Sequence, residues 1–208
     1  NVRVSIADKP EGPYADYFGT NPAGEVNTLP MLTAPYQFEG HCGWAGLGHC
    51  TVFEDGKGNY FLASQGRLGS NIGMMDFHIR QLFFNSKGWP VVSPERYAGE
   101  ENRKFAKNDL YGTWEIIRLK DKEAERELRD GQVIGGLMDE EINKSTKMKF
   151  FSKNIVDFKD NEFTLCLENE KIRNVVSFFG HDWELQTSTI LFSGIDNEGY
   201  AVWGKKIE

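Results

Sequence analysis

The sequence predicts an all-β protein made of many short strands in two successive halves. Three observations predict it. The 208 residues include 15 Phe, 7 Tyr and 5 Trp, types that suit a pleated, half-buried surface. Glycine occurs 22 times, enough to supply many tight turns. Short apolar or alternating runs recur between clusters of Gly, Asn, Asp and Pro, the punctuation of strands rather than helices. A hydrophobic share of 39% is ample for a core. The net charge of −7 argues against a nucleic-acid partner, which needs a basic face. No segment reads as a membrane span.

In chain order, Asn1 to Ile6 alternates like a strand. A chain that opens there, without Met, is expected to be a fragment or one piece of a cut chain. Asp8 to Tyr14 is dense in turn formers, and residues 20–40, with Pro22, Gly24, Pro30 and Pro35, are expected to form a long loop. The stretch from Gly40 to Arg67 organises the rest. Thr51 to Phe53 and Tyr60 to Ala63 are β-rich, and Glu54 to Asn59 between them has the composition of a hairpin turn. Met74 to Phe84 reads as a two-faced strand, with Phe77, Ile79 and Phe83 on one side and His78, Arg80 and Leu82 on the other. Asn85 to Gly88 turns the chain. Trp89 to Val92 is a short edge-like strand, limited by Pro94.

Residues 101–109 form a charged linker between a first unit, 1–100, and a second, 110–208. Leu110 to Leu119 predicts a strand. Lys120 to Asp130 is a charge run expected to be solvated. Strand-like runs follow at Val133-Ile134, Lys147–Phe151, Phe163–Leu167, Val175–Phe179, Glu184–Thr187, Thr189–Phe192 and Tyr200–Trp203. Turns are expected at Asp160-Asn161, Gly180-His181-Asp182 and Asp196 to Gly199. So many short strands suggest a small antiparallel barrel or sandwich.

Few residues point to chemistry. His41-Cys42 and His49-Cys50 together could complete a tetrahedral zinc site, but their spacing fits none of the usual ligand pairs. Neighbours on a strand also face opposite ways, so each pair would offer one ligand. A single His can still reach a water-ligated ion, and a satisfied polar or core role for His49 stands beside that reading. Cys42, Cys50 and Cys166 are an odd set, which argues against a disulfide framework, and buried reduced thiols are expected. Among the carboxylates, Asp16, Glu39, Glu54, Asp55 and Asp76 are the first-half candidates for acid–base work, with Asp55 read as turn chemistry and Glu54 as its exposed neighbour. Asp76 lies on the polar side of a strand, and Asp182 and Glu184 flank Trp183. There is no phosphate-binding glycine loop and no nucleophile elbow.

The run from Gly43 to Phe53, followed by Ala63-Ser64-Gln65-Gly66-Arg67, resembles the last part of the propeller in arabinan-degrading family-43 glycoside hydrolases. His78 to Phe84 and Gly88 to Glu100 resemble that family's closing blade. Asn1 to Val4 with Pro10 to Tyr14 resembles the strand and turn that follow its general acid. Gly112 to Glu115 and Ala201 to Lys206 resemble the β-barrel appended to the longer bacterial members.

The resemblance implies a fold: the closing part of a five-bladed β-propeller, residues 1–100, followed by a small antiparallel β-barrel. It implies inverting hydrolysis of α-1,5-linked L-arabinan, with a base and an acid far enough apart to admit water. The family's three catalytic carboxylates would all precede Asn1, so none is assigned in this chain. His49 matches the family's axial histidine, implying one calcium ion held mostly by water. Cys50 departs from the family pattern and leaves the ion's identity open. Trp44, Gln65 and Arg67 would line the substrate cleft. The implied partners are arabinan or arabino-oligosaccharides and the N-terminal propeller segment of the same enzyme, in a secreted or periplasmic setting. Endo or exo action depends on loops that are mostly absent from this sequence. Two alternatives stand beside this reading: a non-catalytic carbohydrate-binding β-protein, and a lipocalin-like barrel that binds an apolar ligand.

Overall fold

Alternation and turn chemistry yield sixteen strands among the described residues of the computed structural model, which are 1–24, 28–101, 103–120 and 142–208. The first half contains β1 (Val2–Arg3), β2 (Met31–Thr33), β3 (Tyr36–Gln37), β4 (Trp44–Ala45), β5 (Thr51–Glu54), β6 (Tyr60–Leu68), β7 (Asn71–Phe84) and β8 (Pro90–Val92). A 3-10 turn, Lys107–Leu110, precedes β9 (Gly112–Arg118). Then come β10 (Asn143–Lys144), β11 (Thr146–Phe150), β12 (Ile155–Lys159), β13 (Glu162–Cys166), β14 (Lys171–Asp182), β15 (Thr187–Ile195) and β16 (Ala201–Lys206). The expected all-β class is what the chain adopts.

β1 and β2 form a two-stranded sheet. The first large sheet runs β10-β3-β4-β6-β7-β8, with β5 also paired to β6. The second, antiparallel throughout, runs β11-β9-β16-β15-β14-β13-β12. β10 leaves the second half to pair in parallel with β3, so the two large sheets share a segment of chain. Asn143 fastens this crossing: its side-chain amide donates to the carbonyls of Pro35 at 2.9 Å and Lys120 at 3.0 Å.

The second sheet curls around its own core. Trp114, Phe150, Phe163 and Phe192 fill the interior, with rings 5.0–6.1 Å apart. β9 is buried on both faces, which explains its near-continuous apolar run. Trp114 and Ile116 point into the curl, while Ile117 and Leu119 join Tyr36, Phe38, Trp44 and Trp203 in a core at the junction of the sheets. Leu32, Leu62, Leu82 and Val92 pack the two-stranded sheet onto the first large sheet.

The central hairpin forms as expected, with Asp55 closing its turn by accepting from the backbone of Lys57 and Asn59. The Asn85–Gly88 turn and the β8 edge also form. Several expectations are corrected. The segment 20–40 is not all loop, since β2 and β3 lie within it. β7 is two-faced, but its buried side is the polar one: His78 and Arg80 are fully buried while Phe77 is 73% exposed. Gly180, His181 and Asp182 continue β14, and the turn falls instead on Trp183 to Gln186, expected as a strand. β12 was not anticipated. Cys42 and Cys50 are exposed rather than buried. The expected charge run beyond Lys120 and the strand at Val133-Ile134 lie outside the described residues.

Candidate functional site

β4 and β5 run as an interrupted strand beside β6, and the interruption carries His49. Gly46, Leu47 and Gly48 bulge away from β6. The Gln65 N–H reaches back to the Gly48 carbonyl at 3.3 Å, and Thr33 holds the Leu47 carbonyl at 2.8 Å. His49 then adopts φ 53° in the left-handed region and presents an exposed ring. Gly46, at φ 62°, is required by close approach, because a Cβ there would lie 2.9 Å from the Arg67 side chain. Arg67 is itself fixed by a 2.5 Å bond from Nη1 to the Ile72 carbonyl. His49, Gln65 and Arg67 thus belong to one local framework, with Gln65 and Arg67 half-buried.

Trp44 sits differently. Only 5% exposed, it stacks against His41 at 5.2 Å and meets the His78 ring edgewise at 4.4 Å. The Arg96 guanidinium lies 5.0 Å from its ring, so little of the indole is left for a sugar. His78 is buried, and neither ring nitrogen has a hydrogen-bond partner among the described residues. Burial, then Arg80, Arg96 and His41, push it down to about 3, so the ring is neutral. Burial also lowers His41, and Arg96 and Lys205 add to this against Glu184.

Sequence reasoning did not find the densest polar group. Lys205 of β16 is buried among three carboxylates: Glu95 at 3.2 Å, Asp182 at 2.9 Å, and Glu184, which it also contacts directly. Its ammonium stands 4.3 Å from the Phe38 ring. Burial alone would lower Lys205, but Glu95, Glu184 and Asp182 together raise it above the ordinary lysine range. Glu95 is pushed up to about 8 by burial and then by Glu184, against the opposing pull of Lys205 and Arg80. Glu95, Asp182 and Glu184 have the donor spacing of a metal site, but Lys205 supplies the cation there. A buried strand ending in Gly204-Lys205-Lys206 was the available signal.

Among the described residues, no metal-spaced group of three includes His41, Cys42, His49 or Cys50, so the paired His-Cys zinc arrangement does not assemble. The exposed His49 ring fits one position in a mainly water-ligated shell and no more. Asp76 is exposed on β7. A groove of about 720 Å³ at the rim of the second sheet, lined in part by Met148, Phe151 and Leu167, contains none of the expected site residues.

The family model described as GH43_C, a C-terminal lipocalin-like domain, matches residues 94–204. Extracellular endo-α-(1→5)-L-arabinanase 2 of Bacillus subtilis (strain 168) is 29% identical over 99% of this chain and 46% of its own length. An extracellular endo-α-(1→5)-L-arabinanase of Thermotoga petrophila is 22% identical over 100% of this chain and 46% of its own. The chain therefore spans about half the length of the curated relatives it matches. Among solved structures, the family-43 glycoside hydrolase YxiA of Bacillus licheniformis superposes with a TM-score of 0.81 at 24% identity, covering 100% of this chain and 49% of that one. Endo-1,5-α-L-arabinanase of Thermotoga petrophila in complex with TRIS gives 0.82 at 21% identity, covering 100% and 48%.

Proposed function

The chain belongs to the family-43 glycoside hydrolase C-terminal domain family, and from that premise we propose that it is the C-terminal portion of an enzyme hydrolysing α-1,5-linked L-arabinan with inversion. The observation that carries this is the match along the whole chain to arabinanases about twice its length. In this reading residues 1–100 are the closing part of a five-bladed propeller, 101–109 a linker and 110–208 a small antiparallel barrel. The general base, general acid and third carboxylate come from an N-terminal propeller segment, and the setting is secreted or periplasmic.

An exposed apolar face supports that partner. Beyond β6, β5 pairs with no other strand among the described residues. Phe53 and Phe77 share a face of the hairpin sheet and are 40% and 73% exposed. Such an edge and face invite another β element.

His49 would hold a calcium ion whose remaining ligands are mostly water; when bound, the ion supplies positive charge beside the cleft. Gln65 and Arg67 would bond sugar hydroxyls through amide and guanidinium groups. Trp44, being enclosed, would act by holding His41 and β4 in place rather than by stacking on a sugar. The lipocalin-like description of the matched domain agrees with that alternative in architecture, but its apolar-ligand binding gains no support from the interior of the second sheet, which aromatic side chains fill.

The test is hydrolysis of linear arabinan by this chain joined to its upstream segment, with the anomeric form of the first product read by NMR. Inverted product, lost on calcium chelation and weakened in His49→Ala, is expected. Activity of the 208-residue chain alone would overturn the upstream placement of the carboxylates. Retention of arabinan without products would favour the binding-protein reading.

A further inference from the structure

The β14–β15 turn of the second sheet packs Trp183 on Arg96, in the segment that follows β8. The Trp183 indole lies 4.7 Å from the Arg96 guanidinium, which also stands 5.0 Å from the Trp44 ring. Trp183 Nε1 also donates to the Arg96 carbonyl at 2.9 Å, so one side chain holds both the backbone and the head group of Arg96. The turn that carries Trp183 is itself fixed. Asp182 Oδ1 accepts from the backbone of Glu184 and Leu185, each at 2.9 Å, and Lys205 bonds both carboxylates.

On the receiving side, β4 is only two residues long. Its register rests on Tyr36↔Trp44, Trp44↔Leu68 and Ala45↔Arg67. Beyond it, Gly46, the buried Leu47 and Gly48 lead to His49, anchored by Leu47 in the junction core and by Thr33 on the Leu47 carbonyl, so the position of β4 fixes where this segment starts. A strand this short depends on ring contacts for its position; besides the His41 and His78 rings and its place in the junction core, Trp44 meets the Arg96 guanidinium at 5.0 Å.

We infer that Trp183 is a positioning residue for the candidate site: it clamps Arg96 against Trp44, and so sets the strand that delivers His49 and packs Arg67. This rests on the arabinanase reading for its catalytic consequence, but not for its structural one. The second sheet is then part of the site's support rather than an appendage.

The structural arm uses the chain as it stands. NMR of histidine-labelled protein resolves His41, His49, His78 and His181. In Trp183→Ala, the His49 resonances are expected to shift and broaden along with those of His41, whereas Trp183→Phe should keep His49 near its original position. Changes confined to His181 and His41, with His49 unmoved, would overturn the inference. Should Trp183→Ala fail to fold, Arg96→Lys decides by the same criterion, because it keeps the charge but loses the planar stack.

The kinetic arm uses the chain joined to its upstream segment. Trp183→Ala should lower kcat/KM on linear arabinan about five- to tenfold, a loss scaled to one desolvated cation–π contact. It should also raise the calcium concentration for half-maximal activity, with recovery in Trp183→Phe. An active parent enzyme with neither change counts against the inference. A parent with no arabinanase activity counts against the functional reading alone, and the NMR arm then decides the positioning role.

Discussion

Glu95 and Lys205, 110 positions apart, meet at 3.2 Å inside the junction of the two large sheets. Neither is solvated: their side chains are 4% and 1% exposed. With Asp182 and Glu184 beside them, three carboxyl groups share one ammonium. Burial first, and the Glu184 carboxylate second, keep Glu95 protonated in the folded state against the pull of Lys205 and Arg80.

A pH dependence of stability follows. Folded Glu95 titrates near 8 against an ordinary 4.5, so the native state holds a proton that the unfolded state has lost across that interval. Stability from this group falls as pH rises from 4.5 to 8. His78 acts in the opposite sense: lowered to about 3 from 6.5, it makes stability rise across 3 to 6.5. The two offset each other between 4.5 and 6.5, leaving a fall above 6.5. Urea melts should show a loss of about 2 kcal/mol between pH 6.5 and 8, one and a half pH units of one proton. Glu95→Gln should flatten this limb; a variant that still loses as much would show that another group causes it.

Lys205→Met tests the cluster from the other side. The replacement preserves length and apolar stem but removes the cation, leaving Asp182 and Glu184 without their shared partner. Removing one member of a buried ion pair costs about 3–5 kcal/mol. Equilibrium unfolding at pH 7 should show a loss of this size. A loss under about 1 kcal/mol would mean that water already relieves the cluster.

Arg80 is the buried cation of the first sheet. Its Nη1 donates to the carbonyls of Ser93 at 3.1 Å and Pro94, and its Nη2 to the Tyr36 hydroxyl at 2.7 Å. Lysine has the charge but not the fork, and cannot make these bonds together. Arg80→Lys should therefore destabilise the chain by about 2–3 kcal/mol in thermal or urea unfolding. A near-neutral result would show that the Tyr36 and Pro94 contacts add little.

How far the sequence could be read differs by element. The central hairpin was legible because Glu54 to Asn59 has unmistakable turn chemistry and both arms are β-rich. The facing of β7 was not. Alternation fixes that two faces exist, but polarity normally decides which is buried, and here Arg80 finds three oxygen partners inside. The β14–β15 turn was displaced because Asp182 ends the strand as an acceptor for two backbone amides, while Gly180 lets Leu191 cross the strand before it. β12 was hidden by Asp157, whose φ of 54° breaks the two-residue period. Of the candidate site, His49, Gln65 and Arg67 are proposed through resemblance. Glu95, Arg96, Trp183 and Lys205 were not legible, because long-range partners leave no local pattern.

Gly66 offers the sharpest packing test. The His78 ring crosses its Cα so closely that an added Cβ would lie 2.2 Å from the ring. The ring has little freedom to retreat, since Trp44 meets it at 4.4 Å on another side. Gly66→Ala should cost about 1–3 kcal/mol, the usual range for overpacking. His78→Ala alone should also destabilise, by leaving a cavity beside Trp44. In the double variant the new methyl enters the space vacated by imidazole, so the combined loss should fall at least about 0.5 kcal/mol short of the sum. Strict additivity in a double-mutant cycle would show that β6 and β7 relieve the overlap by separating rather than by moving the ring.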